Sequence, residues 1–207
     1  LSTIKIITQD LVKQFKGNLE VEKDIELLAS QVERCNQILK RLTLNPVEED
    51  IFIDKDLTMK DYISEIISSF REISKKNFIF NFDQFSNVKK ITKSIEIVYG
   101  LRNFIGNANK FSNKNVYINL KSDSENTEIT IEDDGNGFPR DILSKIGEPY
   151  LRTNDPVEKS KTGLGLGMFI GKTLLEKNFA SINCRNSETR KGAEVNIKWK
   201  NKDLVKI

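Results

Sequence analysis

Thr127-Glu128-Ile129-Thr130-Ile131-Glu132-Asp133-Asp134-Gly135-Asn136-Gly137 carries the reading on which the fold turns. Residues 128–132 alternate polar and apolar, the period-2 signature of a half-buried strand. The pattern then runs without a break into an acidic turn with two glycines. Glycine permits positive φ and lets the backbone approach a flat ligand closely. A carboxylate held at a strand end can accept a hydrogen bond from an exocyclic amine, a charge-assisted contact worth about 1.5–3 kcal/mol. By itself the stretch also reads as an ordinary acidic turn.

The flanking segments decide between the two. Upstream, Asn103-Phe104-Ile105-Gly106-Asn107-Ala108-Asn109-Lys110 falls within a helix expected over 93–112. Asn103, Asn107 and Lys110 stand at i, i+4 and i+7, so one helix face offers two amides and an ammonium. Amide oxygen suits Mg²⁺, a hard cation usually shared with phosphates, and the ammonium can neutralise those phosphates. Alone, this segment is equally a polar helix face in an asparagine-rich chain. Downstream, Gly163-Leu164-Gly165-Leu166-Gly167 precedes an apolar helix over 167–177. Alternating glycines ahead of a helix leave N–H groups and the positive dipole end open to phosphate. The spacing is not a P-loop, because no Gly-Lys-Ser/Thr follows. Nor is it a dinucleotide fingerprint, because no strand leads directly into it. Residues 139–162, between the acidic turn and the glycines, read as one long functional loop. The three segments in this order make a specific signal that none makes alone.

Working outward, residues 57–74 repeat apolar side chains at the period of a surface helix. Residues 77–82 alternate as a strand, 116–120 and 127–132 form a hairpin across 122–126, and 181–186 and 193–199 supply two further strands. This predicts helices stacked on one face of a mixed sheet over residues 46–207. Pro46 and the acidic run Glu48-Glu49-Asp50 mark the boundary with residues 1–45. That first part reads as two helices broken at Lys16-Gly17-Asn18. In the second helix, Val21, Ile25, Leu28, Val32, Cys35, Leu39 and Leu42 form a heptad seam. Such a hairpin buries too little alone, so dimerisation into a four-helix bundle completes it; the alternative is packing onto the rest of its own chain. The fold class expected is therefore α+β, a dimeric helical hairpin followed by an α/β sandwich.

Composition narrows the function. The 207 residues carry 33 basic and 30 acidic side chains, a net +3 that gives little electrostatic reason to expect nucleic acid. No apolar run approaches the roughly 18–20 residues of a membrane span, so no membrane contact is expected from this segment. Histidine is absent, which rules out a Ser-His-Asp triad, a Cys-His pair and any histidine-ligated zinc site within these residues. Two cysteines, Cys35 and Cys184, are too few for a cysteine-only zinc site or a disulfide framework and suggest a reducing compartment.

The residues around Asn103–Ser112 resemble the N box of sensor histidine kinases. Asp133–Gly137 resembles their G1 box, Gly163–Gly167 their G2 box, and Gly147-Glu148-Pro149-Tyr150-Leu151-Arg152-Thr153 their F box. Together they imply the Bergerat ATP-binding fold of the GHKL superfamily, with residues 1–45 similar to the dimerisation and histidine-phosphotransfer domain. The segments Glu33-Arg34-Cys35-Asn36-Gln37-Ile38-Leu39 and Gly147-Glu148-Pro149-Tyr150 resemble the redox-responsive RegB/PrrB type.

By position, the resemblance implies that Asn107 ligates Mg²⁺ with Asn103 assisting, and that Lys110 contacts phosphate. It implies that Asp133 binds the adenine amine, that Gly135 and Gly137 shape that pocket, and that Gly163, Gly165 and Gly167 line the triphosphate of ATP. It further implies autophosphorylation of a homodimer on a histidine a few residues before Leu1, then transfer to an aspartate of a response regulator. The segment would be the cytoplasmic part of an inner-membrane-anchored kinase. Cys35 becomes a candidate redox group, against the alternative of a small buried core thiol; Cys184, in a strand, is expected only to pack. Gly106 stands where the N box usually has Glu, and Asn136 replaces the frequent Pro. Two alternatives stand beside this reading: an ATP-binding signalling module without transferase activity, and another GHKL ATPase, against which the heptad hairpin argues.

Overall fold

The computed structural model describes residues 58–83, 94–151 and 165–204, together with seven positions among the first 57. The chain divides into two compact units, Leu1–Lys55 and Asp56–Ile207. In the first unit the described residues 7, 11, 21, 24, 25, 28 and 29 are helical. Of the expected seam positions, Ile25 is buried, Val21 is half-buried and Leu28 is 54% exposed. The rest of the expected hairpin, Cys35 included, lies outside the described residues, as does Gly163.

The second unit begins with α1 (Met59–Arg71), β1 (Asn77–Phe82) and α2 (Ile95–Phe111), then β2 (Asn115–Ser122) and β3 (Asn126–Asp133). It continues through α3 (Arg140–Leu143), α4 (Gly167–Lys177), β4 (Ser181–Asn186), β5 (Ala193–Lys200) and α5 (Asn201–Leu204). Helix starts are written in the sequence. Thr58 Oγ1 accepts from Asp61 N while Asp61 accepts from Thr58 N at 2.8 Å, a reciprocal capping box that opens α1. Ser94 caps α2 by accepting from Ile97 N at 3.3 Å. Asp123 accepts from the backbone of Glu125 and Asn126, both at 2.7 Å, and so turns the β2–β3 hairpin.

The five strands pair in the order β1-β2-β3-β5-β4. β1 and β2 are parallel and the other pairs antiparallel. A parallel pair needs a crossover, and α2 supplies it. One sheet face is apolar: Phe78, Val116, Ile118, Leu120, Ile129, Ile131, Val195, Ile197 and Trp199 are all buried. The helices cover this face, with Phe70 of α1 stacked on Phe78 at 6.0 Å between ring centroids. α2 and α4 lie side by side where each offers a glycine. A Cβ on Gly100 would stand 2.5 Å from Leu175, and one on Gly171 3.0 Å from the Phe104 ring. The opposite sheet face is polar, with Asn77 paired to Asn115 at 3.2 Å and Asn81 to Asn119 at 3.1 Å. This is the expected mixed-sheet sandwich.

The stretch read as one loop over 139–162 is corrected in its first part. Pro139, at φ −56°, starts the short helix α3, because its fixed φ suits a helix entry. Four residues are too few to leave a periodic signal.

Candidate functional site

The site is built on the C-terminal half of α2, which is fastened at its end. Ser74 donates to Asn109 Oδ1 at 2.6 Å, and Lys76 Nζ donates to the carbonyl oxygens of Ser112 and Asn113 at 2.7 and 2.6 Å. A cation on the last carbonyls of a helix complements its negative end. The two expected amides sit one turn apart on this anchored helix. Asn103 Nδ2 donates to Tyr99 O at 2.9 Å, which fixes the amide. A Cβ on Gly167 would stand 3.5 Å from Asn103 Oδ1, and 3.6 and 3.7 Å from the amide nitrogen and oxygen of Asn107. The start of α4 therefore rests against both asparagines.

Two features set this junction apart. Asn107 Nδ2 is buried with no hydrogen-bond partner, whereas buried polar groups in native folds are almost always paired. α4 also begins at Leu166 with no side-chain cap, so its first N–H groups lack the side-chain partner that Thr58 and Ser94 give the other long helices. Gly165 enters α4 at φ +70°, and a Cβ there would overlap the Leu151 carbonyl oxygen. Among the described residues no cluster of three or more His, Cys, Asp or Glu could hold a metal ion. A cation here would be held by amide oxygen and by the oxygens of its own ligand. The Asn107 amide fits that task, because turning it over exchanges oxygen for nitrogen without breaking a hydrogen bond on Nδ2.

Asp133 ends β3 on the same side as Ile129 and Ile131 and is 2% exposed. Its Oδ1 accepts from Gly135 N at 2.8 Å and from Ala193 N at 3.2 Å. Burial pushes this carboxyl above its ordinary value; the two backbone donors oppose the shift, and the neighbouring Asp134 and Glu132 carboxylates add to it. A Cβ on Gly135 would overlap the Phe111 carbonyl oxygen, so the acidic turn leans on the end of α2. Gly137, at φ +76°, lies against Asn186. The Asn186 amide accepts from Phe138 N at 2.6 Å and donates to Phe138 O at 3.0 Å.

The three predicted segments thus meet around one half of α2. Lys110 is solvent-exposed on the last turn of that helix, with Nζ 5.5 Å from the Phe111 ring centroid. Gly106 faces α1, where a Cβ would stand 3.2 Å from Phe70 Cζ. Cys184 lies half-buried on β4, its thiol pushed up to about 11 by burial and drawn back in part by Lys172. Such a thiol is unreactive.

Sequence reasoning missed three contributors. Asp134 lies inside the quoted motif but faces away, accepting from the backbone N–H groups of Asn113, Lys114 and Asn115 at 2.8, 2.9 and 3.0 Å. Burial raises this carboxyl, but those donors and the Asn115 amide outweigh it, so the net shift is downward. Gly192 packs so closely on Asp133 that a Cβ would overlap its carbonyl oxygen, and Asn186 holds Phe138. Strand alternation from Ile129 and Ile131 could have marked Asp133 as the inward acid of its pair. Nothing local marks Gly192 or Asn186, which reach the site from either end of the β4–β5 turn, beside β3 in the sheet but distant in sequence.

Residues 92–203 match the family described as histidine kinase-, DNA gyrase B-, and HSP90-like ATPase, over more than half of the sequence, and the chain belongs to that family. Sensor histidine kinase RegB of Cereibacter sphaeroides is 28% identical over 228 residues, covering 100% of this chain and 48% of RegB. A putative sensor histidine kinase NtrY-like protein of Rickettsia typhi is 24% identical over 216 residues, covering 99% of this chain and 34% of that protein. The chain thus spans about half the length of RegB and a third of the NtrY-like protein. Among solved structures, mycobacterial sensor histidine kinase MprB superposes with a TM-score of 0.58 at 21% identity, covering 70% of this chain and 96% of that one. Full-length ShkA in complex with AMPPNP superposes with a TM-score of 0.61 at 16% identity, covering 95% of this chain and 42% of that one. These likenesses establish the fold. Among the described residues no helix is long and apolar enough to cross a membrane.

Proposed function

We propose that this chain is the ATP-binding and dimerising portion of a sensor histidine kinase, and that it binds Mg-ATP and delivers the γ-phosphoryl group to a histidine. The observation that carries the reading is the uncapped start of α4 resting on Asn103 and the unpartnered Asn107 amide. In this reading Asp133 accepts the adenine amine, and Gly135 and Gly137 shape the surrounding pocket. Asn107, assisted by Asn103, holds Mg²⁺ through amide oxygen. Lys110 pairs with phosphate, and Gly163, Gly165 and Gly167 line the triphosphate. Mg²⁺ bound there neutralises phosphate oxygens and aligns the reacting group. The protein's own contribution is positioning and fixed charge.

The accepting imidazole is not among the 207 residues, which contain no histidine. In this reading it lies upstream of Leu1, in a dimer formed through residues 1–45, while residues 46–207 bind ATP. The phosphoryl group then passes to a response-regulator aspartate, and the whole kinase is anchored in the inner membrane with this segment on the cytoplasmic side. Exposure of Leu28 beside buried Ile25 supports a seam that another chain completes. Cys35, on the same seam, is the candidate redox group.

Calorimetric titration with ATP, with and without Mg²⁺, tests the pocket. Asp133→Asn keeps an oxygen for the two backbone donors but turns an N–H group towards the adenine amine. It is expected to weaken ATP binding by about tenfold to a hundredfold, alike with and without Mg²⁺. Unchanged affinity in a folded variant would overturn the assignment. A second reading, an ATP-binding module without transferase activity, is favoured by Gly106, which places no carboxylate between Asn103 and Asn107. Label from γ-labelled ATP appearing on protein extended to the upstream histidine would dismiss it.

A further inference from the structure

Three consecutive carboxylates, Glu132, Asp133 and Asp134, crowd one strand end. Like charges this close raise one another's cost of ionisation, so the outer two call for a reason to be there. We propose that Glu132 and Asp134 are positioning residues: each anchors one of the two backbone turns that enclose the Asp133 carboxylate, and together they set how well it reads an exocyclic amine. This rests on the reading of Asp133 as the acceptor for the adenine amine.

Glu132 points to the polar face of the sheet, opposite Glu194 in register, and is only 8% exposed. Its Oε1 accepts from Ser187 Oγ at 2.7 Å, and its Oε2 lies 3.5 Å from Arg190 Nε. The Arg190 guanidinium in turn lies 3.5 Å from the Tyr117 ring centroid. Glu194 is neutralised separately by Arg185 at 2.7 Å. Ser187 opens the β4–β5 turn and donates its own N–H to Gly192 O at 2.8 Å. That turn therefore closes over Asp133 with Gly192 against its backbone and Ala193 N on its Oδ1. The anchor on Glu132 thus fixes one of the two donors to Asp133.

Asp134 fixes the other. Its carboxylate gathers the three N–H groups of Asn113–Asn115 and the Asn115 amide at 2.9 Å, while Asn113 Nδ2 donates to Asp134 O at 2.6 Å. These contacts tie the turn after α2 to the Asp134–Gly135 peptide, whose N–H is the 2.8 Å donor to Asp133 Oδ1. Both donors converge on one oxygen, from turns tethered by the two neighbouring acids. The plane of the carboxylate is set by that convergence, and with it the direction of the second oxygen.

Inosine triphosphate carries the same triphosphate as ATP with a carbonyl oxygen in place of the amine and a proton on the adjacent ring nitrogen. The ratio of the two affinities therefore reads the amine edge of the base and not the triphosphate, and its dependence on Asp133 assigns it to the carboxylate. In the full chain, ATP is expected to bind about tenfold or more tighter than inosine triphosphate, and Asp133→Asn to erase the difference. Asp134→Asn puts an N–H group among N–H donors, and Ser187→Ala cuts the tether to Glu132. Both are expected to move the ratio towards unity while leaving inosine triphosphate binding nearly unchanged. Thr127→Val, which breaks the buried hydrogen bond to Asn201 at the far end of β3, is the stability control and is expected to keep the wild-type ratio. Retention of that ratio in Ser187→Ala and Asp134→Asn, when Asp133→Asn abolishes it, would overturn the positioning role. Absence of discrimination in the wild type would overturn the reading of Asp133, and this inference with it. Should Asp134→Asn fail to fold, Ser187→Ala carries the test, because it removes one hydroxyl and leaves every carboxylate in place.

Discussion

At the Asp133 turn the polar groups are held within the fold itself: two backbone donors on Asp133, four donors on Asp134, an amide clamp on Phe138. At the start of α4 the arrangement is the reverse, with an uncapped helix end and a buried Asn107 nitrogen that has no partner. The first region is assembled before any ligand arrives and can discriminate by shape and one hydrogen bond. The second is left incomplete, and in the proposed reading a charged ligand supplies what the fold lacks. Preorganisation lowers the ordering cost of binding a neutral base. Helix-end N–H groups gain from an anion.

A methyl group introduced on each side tests this contrast most severely. On Gly192 it would overlap the Asp133 carbonyl oxygen, backbone that cannot yield. Gly192→Ala is expected to cost about 3 kcal/mol of stability, the range of overpacked interiors, read by chemical denaturation. On Gly167 it would meet Asn103 Oδ1 at 3.5 Å, an ordinary contact, and Gly167→Ala should unfold at the wild-type denaturant concentration. Equal losses from the two would show that the regions do not differ in rigidity.

The same contrast governs what could be read from the sequence. Strands and helices announced themselves by period, down to Asn77–Phe82 and Gly167–Lys177, because each buries one face against the same core. The three site segments were legible because amides, carboxylates and glycines sat at telling intervals along the chain. The supports were not. Gly192 and Ser187 reach Asp133 through the pairing of β3 with β5, a contact across some sixty positions that no local window contains. Asp134 was visible but its direction was not, since strand alternation stops at the residue before it. The helix α3 is shorter than the window over which periodicity is judged.

Asn107→Ala carries the comparison to the phosphate side. Removing the amide deletes a ligand that Mg²⁺ would use and leaves the adenine contacts alone. Loss of supporting groups around metal sites costs about 10–100-fold in metal affinity, and a direct ligand is expected to reach at least about the upper figure. Titration should therefore show ATP binding nearly normal without Mg²⁺ and little tightening when Mg²⁺ is added. A variant that weakens both titrations equally would place Asn107 with the adenine side and erase the division drawn between the two regions.

The smallest effect is one of pH, and it separates two adjacent residues. Asp133 has a carboxyl raised above its ordinary 3.8, so its protonated form is favoured by folding. Its contribution to stability is fully present below 3.8 and is lost as pH rises through the raised value. Asp134 is lowered from the same 3.8; its contribution is present above 3.8 and is lost only as pH falls through the lowered value. Acidification from neutrality therefore protonates Asp133 first. The preference for ATP over inosine triphosphate should decline while the protein stays folded, because the two ligands share a triphosphate and differ only at the edge of the base that Asp133 reads. Stability should fall later, below 3.8, where Asp134 releases the Asn113–Asn115 turn. Selectivity and melting temperature measured across the same pH series would check the order. If the two declined together, one titration would govern both, and Asp133 and Asp134 could not hold the separate roles their hydrogen bonds give them.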